Sequence, residues 1–337
     1  MKILIVGLGS IGQRHLRNII KIDKHIEIFA YRRLLKTPAL SNQNKVLNKS
    51  IKDKYKIKYI DSLNNIKKLN INAAIICSPS SFHIKEAILL ARQNINLFIE
   101  KPLSSNLIGI DTFKSILNKN KNITAMVGFQ LKFCPIINKL KKIIVSEKYG
   151  KPKYISIHHG EHIKNFHKYE NYSDLYAAKK NLGGGVALTQ IHEIDYLLYI
   201  LQNYSLKKIS SLSGKISKLN IDVEDTVSSN FLFKNKNESV LCNLHLNYYE
   251  THRKREISIL FENFKIHADL IKQNIKIFSN SKIKTYKIKY QRNDLFVKEM
   301  KYFIKKIKNN KKVEEIYSIN NAIMSLKITL KLNSKLV

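Results

Sequence analysis

Cysteine is scarce in this chain: Cys77, Cys134 and Cys242 are the only three in 337 residues, far apart and without a CxxC pair. An odd, dispersed set argues against a disulfide framework and suits a reducing compartment, so a cytoplasmic location is expected. Long hydrophobic runs are missing too, since none approaches the ~20 residues of a membrane-spanning helix. The apolar start MKILIVGLGSIG is broken by Gly7, Gly9 and Gly12 and no small-residue cleavage site follows. It reads as a buried strand entering a glycine turn rather than as a signal peptide. Arginine is the third shortage. Lys and Arg together number 60 against 25 Asp and Glu, a formal charge of +35, yet only eight of the basic residues are Arg. Base and phosphate readout leans on Arg, and the excess is spread evenly, with no basic tail. It reads as a drift toward Lys, Ile and Asn of the kind AT-rich codons produce. Neither nucleic acid nor a membrane is therefore expected as a partner, although a positive surface would steer an anionic substrate.

What is present is globular: 44% hydrophobic and 25% charged residues, in a chain long enough for two domains with separate cores. The first part alternates apolar runs with helical patterns, as a parallel βαβ sheet requires. KILIVG (2–7), IEIFAY (26–31), NAAIICS (72–78), NINLFIEKP (94–102) and ITAMVGF (123–129) read as strands. Residues 36–58 are polar, lysine-rich and unplaced. Later, segments 153–160, 208–216, 225–233, 239–248 and 255–261 are strand-like and joined by short polar turns, the signature of a mostly antiparallel sheet. A helix is expected from Gly185 onward. Two amphipathic helices follow, one marked by Phe296, Met300, Phe303, Ile304 and Ile307, the other over 318–331. The fold class expected is α/β: a Rossmann domain with a doubly wound parallel sheet at 1–124. An α+β domain with a large, mostly antiparallel open sheet follows at 125–337. No internal repeat is visible.

Gly7-Leu8-Gly9-Ser10-Ile11-Gly12 is a GxGxxG placed directly after a strand and opening a helix. The first glycine permits the tight turn, the second lets backbone approach a pyrophosphate, and the third allows close helix–strand packing. Ser10 and Ile11 lie in the same turn and count among the expected cofactor contacts. The tip of the second strand reads Ala30-Tyr31-Arg32-Arg33, where an NAD-preferring site places an acid; Glu27 lies at the strand's beginning. Arg32 and Arg33 suit a 2′-phosphate, so NADP is the expected cofactor, with NAD the alternative. Glu100-Lys101-Pro102 closes a strand, so Lys101 emerges at the edge where ligands of open α/β sheets bind and can stabilise developing oxygen charge. Leu182-Gly183-Gly184-Gly185 leads into Thr189, His192, Glu193 and Asp195. Histidine is the natural proton acceptor near neutral pH, and His192 and Asp195 are spaced to share a helix face. His158, His159 and His162 invite a metal reading, but the first two point to opposite faces of a strand and no fourth ligand is obvious. No metal is expected.

Taken together, the GxGxxG, Glu100-Lys101-Pro102, MVGFQLKFCP (126–135) and GGGVALTQIHEIDYL (183–197) resemble the Gfo/Idh/MocA oxidoreductases, in order and over nearly the whole chain. The resemblance implies that Lys101 and His192 face the reacting carbon across a nicotinamide. It also implies that Ser78, Pro79, His83, Glu100 and Gln130 belong to the cofactor site. Many members carry an aspartate a few residues before the histidine where this chain has Thr189-Gln190-Ile191. Thr189 would then hold a substrate hydroxyl, or Glu193 or Asp195 would orient His192. The pattern YAAKKNLGGGVALTQIHEIDYL is most similar to members associated with bacterial surface sugars. The implied activity is NAD(P)-dependent hydride transfer at a hydroxyl or keto carbon of a sugar or nucleotide-sugar, in a homodimer or homotetramer. The alternatives are a catalytically inactive dinucleotide-sensing protein of the same fold, or a reductase of a tetrapyrrole or dihydrodiol.

Overall fold

The computed structural model describes residues 1–32, 38–48, 50–64, 66–236 and 238–332. Two compact units divide the chain. The first holds Met1–Phe129, Asn181–Gly183 and Phe296–Met324; the second holds Gln130–Lys180, Gly184–Leu295 and the residues from Ser325 onward.

In the first unit the apolar runs form β1 (Lys2–Val6), β2 (Glu27–Tyr31), β3 (Lys58–Tyr59), β4 (Ala73–Ile76), β5 (Asn96–Glu100) and β6 (Ala125–Gly128). All pair in parallel, in the order β3-β2-β1-β4-β5-β6. Between them run α1 (Ser10–Ile22), α2 (Ile51–Tyr55), α3 (Ser80–Ala91) and α4 (Ile110–Lys119). The central strands are apolar throughout because helices cover both faces of such a sheet; Ile3, Leu4 and Ile5 are wholly buried. The strand order reverses between β1 and β4, which opens a crevice at their carboxyl ends. Registers Val6↔Tyr31, Val6↔Ile76, Ile76↔Ile99 and Glu100↔Gly128 bring those ends level. Gly7, Arg32, Ser78 and Lys101 therefore all follow strands that end on one edge.

In the second unit α5 (Pro135–Val145) precedes β7 (Tyr154–Gly160), then come α6 (Val186–Thr189) and α7 (His192–Ile200). Seven strands follow: β8 (Ser205–Gly214), β9 (Thr226–Asn235), β10 (Glu238–Asn247), β11 (Lys254–Leu260), β12 (Lys265–Asp269), β13 (Asn274–Phe278) and β14 (Ile283–Lys287). The eight-stranded sheet runs β14-β13-β12-β11-β7-β10-β9-β8. Only the central β7–β10 pair is parallel; every other pairing is antiparallel. Alternation buries one face, with Ile155, Ile157, Val240, Cys242, Leu244, Ile257 and Ile259 all turned inward. The chain closes with α8 (Arg292–Lys308) and α9 (Ile319–Lys331).

The expected architecture is therefore present, with four differences. The break between units falls after Phe129 rather than 124, and residues 296–324 join the first unit. Met300, Phe303, Ile304 and Ile307 of α8 share a core with Leu16, Ile19 and Phe98, and an apolar stripe does not record which end of the chain it will pack on. Strands β12 to β14 are additional to those expected; each is only five residues long, too short for a clear pattern, and β14 is exposed along its length. The helix expected from Gly185 is two helices, α6 and α7. The unplaced stretch 36–58 contains α2 and the first residue of β3. The three cysteines are free and buried.

Candidate active site

At the end of β1 each glycine of the turn has a distinct geometric reason. Gly7 has φ +91, and a Cβ there would lie 2.8 Å from the Ser78 backbone nitrogen. Gly12 sits in α1 with its missing Cβ only 2.0 Å from the Gly7 carbonyl oxygen, so any side chain would push helix from strand. At Gly9 a Cβ would meet nothing within 4 Å. The middle glycine thus borders open space just where α1 begins. First-turn N–H groups have no acceptor inside a helix, and the helix dipole favours an anion there. A dinucleotide pyrophosphate fits this cradle, and Ser10 and Ile11 are its half-buried flanks.

Arg32 follows β2 directly and is half-buried; Arg33 lies outside the described residues. Glu27 is spent at the far end of β2 on an ion pair with Lys58 at 2.5 Å, so it does not supply an acid at the strand's tip. Ser78 and Pro79 lead from β4 into α3, and the Ser78 hydroxyl donates to buried Glu86 at 2.5 Å. His83, expected as a cofactor contact, is 1% exposed. Its Nδ1 faces the Pro102 carbonyl and its Nε2 the Ser78 carbonyl, each at 2.7 Å. Burial pushes its pKa down, against the pull of those two oxygens.

Glu100 also has partners within the protein. One carboxylate oxygen takes His15 Nε2 at 2.6 Å and the other accepts the Lys101 backbone N–H at 3.1 Å. Glu299 of α8 joins them: His15, Glu100 and Glu299 are buried and offer ligand-type atoms within 4.8 Å of one another. Burial, with Glu100 adding repulsion, holds the Glu299 carboxyl well above the carboxylate range. Lys101 itself stands at the end of β5, on the edge shared with the glycine turn.

The second unit carries His192 as the first residue of α7, 5% exposed. Burial alone would raise Glu193, but Arg255 at 2.7 Å and His159 at 2.9 Å pull it down to about 2. Asp195 is 1% exposed and is held by Lys132 at 2.9 Å and Ser325 at 3.2 Å. It ties α7 to the turn before α5 and to α9. Thr189 ends α6, buried, with Tyr248 as a side-chain partner. The triple glycine is crowded by the protein itself: Gly185, at φ +107, would place a Cβ 2.3 Å from the Glu224 carboxylate. Glu224 accepts the Ala187 N–H at 3.2 Å, and burial pushes its carboxyl up to about 7. Gln130 opens the short turn before α5 and is buried. As the strand parity requires, His158 and His159 part company: His158 pairs with Glu250 at 2.9 Å on one face, His159 with Glu193 on the other. His15, Lys132, Glu224, Arg255 and Glu299 were not singled out from sequence. Their partners lie 37 to 85 residues away where a hydrogen bond records it, and no local spacing signals them.

Residues 1–129 match the family model described as an oxidoreductase family with an NAD-binding Rossmann fold, and residues 137–267 match the GFO/IDH/MocA C-terminal domain. The myo-inositol 2-dehydrogenase of Thermotoga maritima is 29% identical over 159 residues, 47% of this chain and 44% of the relative. The chain spans about half the length of the curated relatives it matches, from 42% to 57%. Among solved structures, UDP-N-acetylglucosamine 3-dehydrogenase GnnA of Acidithiobacillus ferrooxidans superposes with TM-score 0.75 at 15% identity, over 98% of this chain and 96% of that one. The scyllo-inositol dehydrogenase of Lactobacillus casei with bound NAD(H) and scyllo-inositol gives TM-score 0.74 at 18% identity, over 98% and 95%. At these identities the likeness is one of fold.

Proposed function

From the premise that this chain belongs to the Gfo/Idh/MocA oxidoreductase family, we propose that it moves hydride between a nicotinamide dinucleotide and a hydroxyl-bearing carbon of a sugar or nucleotide-sugar. The observation that carries the reading is the open face of Gly9 at the start of α1, on the sheet edge that also ends in Lys101. When bound, the dinucleotide supplies the hydride acceptor or donor. The chain's own residues supply the rest. The first turn of α1 holds the pyrophosphate. His192 takes the proton of the substrate hydroxyl, or returns it in the reducing direction. Lys101 donates to the substrate oxygen and stabilises its charge. Ser10, Ile11, Ser78, Pro79 and Gln130 complete the proposed cofactor site, and Thr189 contributes to the substrate site.

The family model is named for NAD binding. Preference for NADP is the finer proposal, supported by Arg32 at the tip of β2 and by the commitment of Glu27 to Lys58. A homodimer or homotetramer is the proposed assembly, supported by the exposed Leu212 and Leu241 on the outer sheet face of the second unit. No helix among the described residues is long and apolar enough to cross a membrane.

The test is reduction of NAD or NADP, followed at 340 nm, with a panel of inositols and UDP-sugars. Lys101→Ala and His192→Ala should each lower turnover by about 10²–10⁴-fold while NADH affinity stays within a factor of two. Normal turnover in both variants would refute the assignment. Dinucleotide binding without turnover of any panel member would favour the sensing protein instead.

A further inference from the structure

Lys101 is fixed through its sequence neighbours, and both braces end on buried histidines. On one side Glu100 divides its carboxylate between His15 Nε2, at 2.6 Å, and the Lys101 backbone N–H, at 3.1 Å. On the other, the Pro102 carbonyl meets His83 Nδ1 at 2.7 Å. His15 belongs to α1, three residues after Gly12, so the Glu100 contact ties the helix that opens at the glycine turn to the strand end that bears Lys101. His15 is itself wedged between Phe98 and Phe296, with ring centroids 5.1 and 6.0 Å away. Both donors therefore converge on the Glu100 carboxylate, with Glu299 beside it.

We propose that Glu100 is the positioning residue of Lys101, with His15 as its anchor on α1. The proposal rests on the reading of Lys101 as the donor to the substrate oxygen. It adds that an amide cannot replace Glu100. An uncharged Gln offers only one acceptor where two donors are now satisfied, so the backbone at 101 is released. Displacement by about 1 Å at a reacting group costs on the order of a hundredfold in rate.

The experiment uses the full chain and three variants: Glu100→Gln, Glu299→Gln and Lys101→Ala. In Glu100→Gln, turnover on the panel substrate should fall between about tenfold and a hundredfold, with substrate KM and NADH affinity within a factor of two. The crystal structure of that variant should show the Lys101 ammonium displaced, a readout that needs no substrate. Glu299→Gln keeps the size of the side chain and touches neither hydrogen bond of Glu100, so it should leave Lys101 in place. An unmoved Lys101 in Glu100→Gln, or equal loss of NADH affinity and melting temperature with turnover, would overturn the proposal in favour of a purely structural cluster. So would a stoichiometric divalent metal in the purified protein that Glu299→Gln abolishes. Failure of Lys101→Ala to lower turnover would instead strike the reading of Lys101 and leave the geometry of Glu100 standing.

Discussion

Alanine at each of the three turn glycines separates folding from binding. At Gly7 the penalty has two parts. A side chain at φ +91 costs about 1–2 kcal/mol, and contact with Ser78 and Cys77 backbone adds about 1–3 kcal/mol of overpacking. At Gly12 the Cβ would stand 2.0 Å from the Gly7 oxygen, so α1 must retreat from β1 by about 1 Å or more to reach normal contact. That too costs about 1–3 kcal/mol. Gly9 is different: its φ of −67 and ψ of −170 suit alanine, and the methyl would meet no protein atom within 4 Å. Loss of a glycine N-cap costs at most about 1 kcal/mol. The same methyl occupies the approach to the first turn of α1, so NADH affinity should fall at least about tenfold, or 1.4 kcal/mol. Thermal melts and fluorescence titration with NADH give both quantities on the same samples. Wild-type NADH affinity in Gly9→Ala, or a melting loss in Gly9→Ala as large as in Gly12→Ala, would refute the reasoning.

Two further perturbations test the second unit. Burial raises the Glu224 carboxyl to about 7, so the folded protein holds a proton there that an unfolded chain releases above about 4.5. Its stabilising contribution is full below that value and lost as pH rises through 7. Glu224→Gln keeps an acceptor for the Ala187 N–H and should gain up to about 3 kcal/mol on wild type between pH 4.5 and 8.5; parallel pH curves from urea unfolding would exclude this. Removing Lys132 leaves the Asp195 carboxylate buried and uncompensated. Lys132→Met should therefore destabilise by about 3–5 kcal/mol, and adding Asp195→Asn should restore much of it, as a double-mutant cycle would show.

Much of the fold was written locally. A run such as KILIV can satisfy its buried backbone only inside a sheet, and Gly7, Gly9 and Gly12 announce a turn that no other residue type could make as closely. Where strands are only five residues long, as in β12 to β14, too few alternations are present for the pattern to stand out, although the strands form. The candidate site was legible only in part. Lys101 could be placed because β5 ends beside it, whereas the internal partners of His83 and Glu100 could not be read. Sequence position says which edge a residue leaves from, and nothing of which partner consumes its polar atoms.

The sequence by itself determined the parallel first sheet, the largely antiparallel second one, the glycine turn and the chemical types available at the strand ends. Those follow from periodicity and backbone stereochemistry, which act over a few residues. Only the tertiary structure decided that α8 completes the first core, that Asp195 and Glu193 are tied to Lys132 and Arg255, and that His15, Glu100 and Glu299 converge behind Lys101. Such partnerships join groups far apart along the chain, and desolvation enforces them only once the surrounding core has closed.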